Sequence, residues 1–153
     1  MEKQYVLSAQ KIEELKAELE MLEKDGRKKI ADSLNWLRSL PNEQDDSTFS
    51  DIFEEQRFLE KRINEIKGIL SNHKVLQESE THEVVGLGSV VSVCFSDIEE
   101  RYTIVSELEA DPLNNHISDE SPVGKALMGH KVGDVVLVDV GLLTKEYTIL
   151  AIK

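Results

Sequence analysis

The apolar residues in the first half of the chain repeat with a helical period, and this limits the possible folds more than any other feature. Between residues 8 and 40 they recur mostly three and four positions apart, the pattern of an amphipathic helix. A second run with heptad spacing starts at Ile52 and predicts a partner helix. The two hydrophobic stripes are formed by Ile12, Leu15, Leu19, Leu22, Ile30, Leu34 and Leu37, and by Ile52, Leu59, Ile63, Ile66 and Leu70.

A short acidic segment, residues 41–48, separates the two stripes. Pro41 disfavours a helical conformation of Leu40, and the Asn, Asp and Ser residues that follow favour turns. The sequence therefore predicts an antiparallel coiled-coil hairpin with an acidic tip. Gly26 interrupts the first stripe, so we expect a slack or kinked point there.

The helical period ends after Leu76, which places the domain boundary between residues 77 and 78, with domains at 1–77 and 78–153. Four runs rich in β-branched residues follow, at 89–95, 101–105, 135–140 and 146–152. Both faces of the last run are apolar, so we expect that strand to be covered on both sides. Ser121 and Pro122 are suited to open one short helix over 121–128. The predicted fold class is α+β, a helical hairpin followed by a small sheet domain.

Charge and cysteine content restrict the function and the location. The formal charge of −12 repels nucleic-acid phosphates, so we expect no tight binding to free DNA. A single cysteine, Cys94, cannot form an internal disulfide, and no apolar run is long enough to span a membrane. These features favour a cytoplasmic protein. The four histidines lack the spacing of metal ligands, so no metal is expected to be held by this chain alone.

Two segments resemble the Gre transcript-cleavage factors of bacterial RNA polymerase. Residues 117–134 contain Ile-Ser, Ser-Pro, Ala-Leu, Gly and Gly-Asp elements at a spacing similar to that of the family. Residues 63–66 and 70–76 resemble the end of the family's second helix. The resemblance covers essentially the whole chain. It implies an N-terminal coiled coil joined to a C-terminal domain of the FK506-binding-protein type, built on an antiparallel sheet.

The resemblance also implies a function. Gre factors dock their globular domain on RNA polymerase and insert the coiled coil into the secondary channel. Acids at the tip then help to hold a second Mg²⁺ and a water, and the polymerase's own site cleaves the 3′ end of backtracked RNA. We therefore expect a monomeric accessory factor rather than an enzyme, with no cofactor of its own and Mg²⁺ shared with the polymerase. Any contact with DNA is expected only within the complex that the polymerase forms with its template.

The tip departs from the family pattern. Aligned without gaps, Asn42 stands where cleaving members have an Asp, Asp45 where they have a Glu, and Asp46 where they have an Asn. An amide oxygen can coordinate Mg²⁺ but adds no negative charge, and Glu43 could substitute if the loop shifts. Two interpretations stay open. The chain stimulates cleavage through Glu43, Asp45 and Asp46, or it is a non-cleaving paralogue that occupies the channel and inhibits or retunes the polymerase.

Further candidate residues follow from the same resemblance. Arg38 and Arg57 stand at the level where the family's basic patch approaches RNA, although Phe53 occupies one position that is basic in the family. A solvated helix face is the simpler explanation of such cations. The residues expected to face the polymerase are Asp119, Glu120, Ser121 and Pro122. An ordinary helix cap explains Ser121 equally well.

Two other classes of function receive less support from the sequence. A peptidyl-prolyl isomerase needs an aromatic pocket, and residues 78–153 contain only Phe95, Tyr102 and Tyr147. Fold alone does not confer that activity. A coiled-coil scaffold would bind a partner through its stripe, but a hairpin already covers its own stripe.

Overall fold

The computed structural model describes residues 3–41, 46–77 and 83–153, with Asp46 described by its backbone alone. The chain divides into two compact units. The first comprises Met1–Tyr5 and Ala9–His73, and the second comprises Val6–Ser8 and Lys74–Lys153.

The first unit is a helical hairpin, in which α1 (Ala9–Met21) and α2 (Arg27–Ser39) both pack against α3 (Asp46–Ser71). Its buried side chains are Ile12, Leu15, Ile30, Leu37, Ile63, Ile66 and Ile69. The predicted stripes are thus confirmed, except that Ile69 is more deeply buried than Leu70. The predicted end of the first helix is also confirmed, because Leu40 before Pro41 has an extended backbone with ψ of 128°.

A π-helical turn, Leu22–Gly26, joins α1 to α2. Leu22 and Ile30 are eight positions apart, one more than the heptad repeat requires. The turn absorbs the extra residue, because the Arg27 N–H donates to the Leu22 carbonyl five residues back. Gly26 faces the partner helix, and a Cβ there would lie 2.8 Å from Leu59 Cδ1. The irregularity predicted at Gly26 is therefore present, as a wide turn.

Two short strands, β1 (Tyr5–Leu7) and β2 (His73–Val75), form a two-stranded sheet. Strands of three residues show no period in the sequence, and neither was predicted. Ser8, which follows β1 and belongs to the second unit, is held by one carboxylate of the same unit. Its N–H donates to Glu109 Oε2 at 3.0 Å, and its hydroxyl donates to Glu109 Oε1.

The second unit contains a five-stranded sheet in the order β5-β4-β3-β7-β6. The strands are β3 (Val90–Phe95), β4 (Ile98–Val105), β5 (His116–Ser118), β6 (Val135–Val140) and β7 (Leu143–Ile152). The predicted short helix is present as α4 (Pro122–Leu127), and it packs near β5 and β6. The core consists of Val85, Val91, Val93, Ile104, Leu127, Val136, Val138, Tyr147 and Ile149.

The prediction of an antiparallel sheet was wrong at one strand. β5 runs parallel to β4, with Thr103 opposite His116 and Val105 opposite Ser118. A parallel neighbour needs a crossover, because a tight turn reverses the chain direction. Residues 106–115 provide that crossover through two 3₁₀ turns, Glu107–Glu109 and Pro112–Asn114. The sheet is therefore mixed.

The expectation that the last strand is covered on both sides was also wrong. Tyr147 and Ile149 are 3% and 1% exposed, whereas Leu150, on the opposite face of the sheet, is 44% exposed. The neighbouring β6 behaves in the same way, since Val136 is buried and Leu137 is 64% exposed. The β6–β7 hairpin therefore buries one apolar face and leaves the other exposed.

Across the described ranges, no helix combines the length and the apolar composition that crossing a membrane requires.

Candidate functional site

The candidate tip residues lie in the connection between two helices. α2 ends at Ser39 and α3 begins at Asp46, so the acidic segment joins them. Asn42, Glu43 and Asp45 are outside the described residues, and the side chain of Asp46 is not described. The chemistry available at the tip is therefore known from its residue types alone, which are carboxylates and an amide.

Ion pairs between helices involve several cations of the hairpin away from the tip. Arg62 donates from Nε to Glu18 Oε1 at 2.7 Å and from Nη2 to Oε2 at 2.9 Å. Arg27 and Glu60 form the same two-bond arrangement at 2.9 and 3.0 Å. These hydrogen bonds hold the pKa of the Glu18 and Glu60 carboxyl groups below the ordinary value of 4.5. They bind α3 to the first two helices.

Arg38 and Arg57 are different, because both are exposed and neither forms an ion pair with any residue that the structure describes. Arg38 lies in the last turn of α2, where a positive charge also interacts favourably with the helix dipole. Phe53, one turn before Arg57 on α3, is 47% exposed. The predicted basic positions are thus accessible, whereas Arg27 and Arg62 are engaged in holding the hairpin together.

The predicted docking residues form the turn that leads into α4. The Ser121 hydroxyl accepts a hydrogen bond from the Gly124 N–H at 3.0 Å and donates one to the Ser118 carbonyl at 2.6 Å. The Glu120 N–H donates to Ser118 Oγ at 3.0 Å. Ser121 is therefore the N-cap of α4 with Pro122 at the first helical position, as predicted. The Glu120 and Pro122 side chains are exposed at this turn.

Sequence reasoning missed an apolar surface on the second unit. The outward-facing apolar residues of the β6–β7 hairpin, here called the β6–β7 apolar face, are Val135, Leu137 and Leu150. An exposed cluster of this kind is typical of a protein-binding surface. No sequence pattern marks this surface, because the residues of β6 that face the core and those that face outward are both apolar.

The three aromatic residues considered for an isomerase pocket are engaged in packing. Tyr147 is buried, and its ring lies 5.4 Å from that of Phe95, centroid to centroid. Burial, together with a hydrogen bond to the Glu100 carboxylate, raises the pKa of Tyr102. These contacts give no support to an isomerase site.

Among the described residues, no group of three or more His, Cys, Asp or Glu side chains is arranged to hold a metal ion.

Comparison with known proteins shows what class of protein carries this arrangement. A family model described as "Transcription elongation factor, N-terminal" matches residues 5–75. A second, described as "Transcription elongation factor, GreA/GreB, C-term", matches residues 80–153. The chain belongs to the GreA/GreB family of transcription elongation factors. The resemblance found in the sequence is thereby confirmed, as is the expectation of an accessory factor of RNA polymerase rather than an independent enzyme.

Individual relatives match over nearly the full length. The transcription elongation factor GreA of Clostridium acetobutylicum is 40% identical over 155 residues, which cover 99% of this chain and 98% of that protein. The GreA of Clostridium kluyveri is 39% identical over 154 residues, covering 99% and 97%. The solved structure of GreA factor homolog 1 of Thermus thermophilus has a sequence 33% identical to this one. The match covers 99% of each chain and has a TM-score of 0.46. DNA binding receives no support from these comparisons.

Proposed function

We propose that this elongation factor inserts its helical hairpin into the secondary channel of RNA polymerase and stimulates cleavage of backtracked RNA. The observation that supports this most directly is the near full-length similarity to GreA proteins combined with an acid-rich segment between α2 and α3. The protein would act as a cytoplasmic monomer, with the polymerase as its partner and the 3′ end of the nascent RNA close to the tip.

The tip residues fit a shared metal by their chemistry. Carboxylate and amide oxygens are the ligands that Mg²⁺ prefers, and Glu43, Asp45, Asp46 and Asn42 supply both kinds. When bound, Mg²⁺ would stabilise the charge that develops at the cleaved phosphate. Asp45 and Glu43 would orient a water and add negative charge, while Asn42 would contribute only a neutral oxygen. Arg38 and Arg57 would contact the RNA backbone beside the tip.

Docking is assigned to the second unit. The exposed Glu120 and Pro122, with Asp119 and Ser121 beside them, would contact the polymerase near the opening of the channel. The β6–β7 apolar face offers a second contact surface, since exposed aliphatic side chains gain free energy when a partner buries them.

The test uses halted, backtracked elongation complexes with Mg²⁺ and measures the release of short 3′ RNA fragments. We expect the wild-type factor to stimulate release and Asp45→Ala or Glu43→Ala to abolish it. Asp51→Ala is the matched control, because it removes the same charge from an exposed position on α3 outside the tip. Equal release with Asp45→Ala, Glu43→Ala and wild type would contradict the proposed role of the tip.

A second candidate function is that of a non-cleaving paralogue that occupies the channel and inhibits or retunes the polymerase. The observation that favours it is Asn42, which stands where an acid is expected and weakens the attraction for a second Mg²⁺. It predicts no fragment release, together with slower elongation and competition against an active cleavage factor. The same assay therefore separates the two candidates.

A further inference from the structure

Half of the aromatic side chains of this protein lie in the tip-proximal part of the hairpin, between residues 36 and 58. Trp36, Phe53 and Phe58 are 60%, 47% and 63% exposed, and Phe49 is half-buried. Aromatic rings normally contribute most when buried. Their exposure at one end of the hairpin leaves these rings available to a partner.

One pair of these rings is already arranged as a stack. The centroids of Phe49 and Phe53 are 6.4 Å apart with an interplanar angle of 21°. The pair is spaced by one helical turn on α3, and the same spacing continues to Arg57 and Lys61. Four residues on successive turns of α3 thus form an aromatic-basic stripe, about 18 Å long at the helical rise of about 1.5 Å per residue.

The cations of this stripe are available to a ligand. Arg57 and Lys61 are both exposed, and neither pairs with an acid in the part of the chain that the structure describes. Phe58 has a different setting, since its ring stacks on no other aromatic ring among the described residues. The cations Arg57 and Lys61 therefore continue the row that begins with the Phe49–Phe53 stack, and Phe58 lies outside that row.

A stripe that combines stacked rings with cations suits single-stranded nucleic acid, whose bases stack on aromatic side chains while cations follow the phosphates. The net charge of −12 makes attraction of phosphate alone a weak basis for such contact. Stacking on the neutral face of a base is not opposed by that charge. An exposed aromatic ring at position 53 therefore offers an acidic protein a contact with RNA that does not depend on attraction of phosphate.

We propose that the Phe53 ring, supported by Phe49, stacks on an unpaired base near the 3′ end of the backtracked RNA, with Arg57 and Lys61 on the neighbouring phosphates. This inference rests on the proposed function, because it requires the hairpin to lie beside the RNA in the secondary channel. It adds a base-stacking contact to that function, made by uncharged side chains.

The experiment places 2-aminopurine in the 3′-terminal segment of the RNA in backtracked elongation complexes. Ca²⁺ replaces Mg²⁺ so that the RNA is not cut. Stacking on an aromatic ring is read as a change in 2-aminopurine fluorescence as the factor is added. Binding to the polymerase is measured in parallel by competition with fluorescently labelled wild-type factor.

We expect Phe53→Leu to compete as well as wild type but to reduce the fluorescence response on the order of tenfold. Phe53→Tyr should retain the response, because it keeps a ring. Phe58→Leu is the matched control, being an exposed phenylalanine outside the stripe, and should also retain it.

The alternative outcomes are distinct. An unchanged response with Phe53→Leu would overturn the stacking contact. Loss of competition by Phe53→Leu would overturn it as well, since the ring would then bind the polymerase itself. A wild-type factor that does not bind the polymerase would instead refute the proposed function on which the inference rests.

Discussion

A Cβ atom built on Gly124 would lie 1.9 Å from the carbonyl oxygen of Ser118. The first turn of α4 thus packs directly on the backbone at the end of β5, and any side chain at position 124 would separate them. We expect Gly124→Ala to lower the free energy of unfolding of the second unit by about 2 kcal/mol or more, measured by chemical denaturation. Gly86→Ala is the control, because nothing lies within 4 Å of its Cβ position. Equal stability of both variants would contradict this close contact.

The attachment of Ser8 to Glu109 gives a second prediction. Because one carboxylate accepts from both the Ser8 N–H and its hydroxyl, Glu109→Ala should remove two hydrogen bonds. We expect a loss of about 1–2 kcal/mol and faster hydrogen exchange at the Ser8 amide. Glu99→Ala, which removes an exposed acid from β4, should leave that amide protected. Unchanged exchange at Ser8 in the Glu109 variant would count against this attachment.

The ion pairs of the hairpin predict a pH dependence. The pKa of Glu18 and Glu60 is lower in the folded state than the ordinary value of 4.5. Their stabilising contribution is therefore complete above that value and is lost as the pH falls through the folded-state pKa. We expect the helical signal in circular dichroism to melt at a lower temperature at pH 3 than at pH 7.

The double variant Glu18→Gln, Glu60→Gln should melt earlier at pH 7 and show a smaller pH effect. Glu54→Gln with Glu55→Gln is the matched control, since these exposed acids on α3 have no ion pair among the described residues. An identical pH dependence in both double variants would contradict the assigned role of the ion pairs.

Substitutions of Ser121, the N-cap of α4, distinguish a structural role of this residue from a role in docking. Ser121→Ala removes the bond to the Gly124 N–H and should cost about 1 kcal/mol of stability, while Ser121→Thr keeps a hydroxyl. If Ser121 serves only as a cap, the folded fraction of each variant should bind the polymerase with the same affinity as wild type. Weaker binding by both variants would instead assign the serine side chain to the docking surface.

The β6–β7 apolar face predicts opposite effects at adjacent positions. Leu137 is 64% exposed and Val138 is 1% exposed. Leu137→Thr should change stability by no more than about 0.5 kcal/mol. It should weaken polymerase binding by about tenfold, because a buried aliphatic contact is lost. Val138→Thr should instead lower stability by about 1–3 kcal/mol, since its hydroxyl would be buried in the core. Full binding by Leu137→Thr would exclude this face from docking.

The parts of the fold that sequence predicted are those with a long, regular period. Ile12 to Leu37 and Ile52 to Leu70 repeat over many turns, so the helices were identified with ends close to those observed. β5 could not be identified in this way, because a strand of three residues has no detectable period. Its pairing with β4 depends on the path of the crossover at residues 106–115. β4 was predicted to start at Arg101 and starts at Ile98, since a tight turn at Ser96 and Asp97 lets Ile98 pair with Phe95.

The candidate site was predictable to a smaller extent. The Ser121 cap follows from local chemistry, and Ser-Pro at a helix start is a strong signal. Arg27 and Arg62 form ion pairs, whereas Arg38 and Arg57 form none with the described residues. Which arginines are paired depends on where the acids of the facing helix lie. That pairing is set by packing, and no local pattern reveals it. The exposure of Leu137 also depends on the fold, because alternate residues of β6 are equally apolar.

The π-helical turn at Leu22–Gly26 has a consequence for how this hairpin can change in length. Deleting one residue from the turn would leave the stripes on either side in register along a continuous α-helix, whereas a deletion elsewhere in α1 or α2 would rotate every later side chain by about 100°. The turn is thus a tolerant position for a single-residue deletion. Related sequences that differ in length by one residue in this part of the hairpin are expected to differ at this turn.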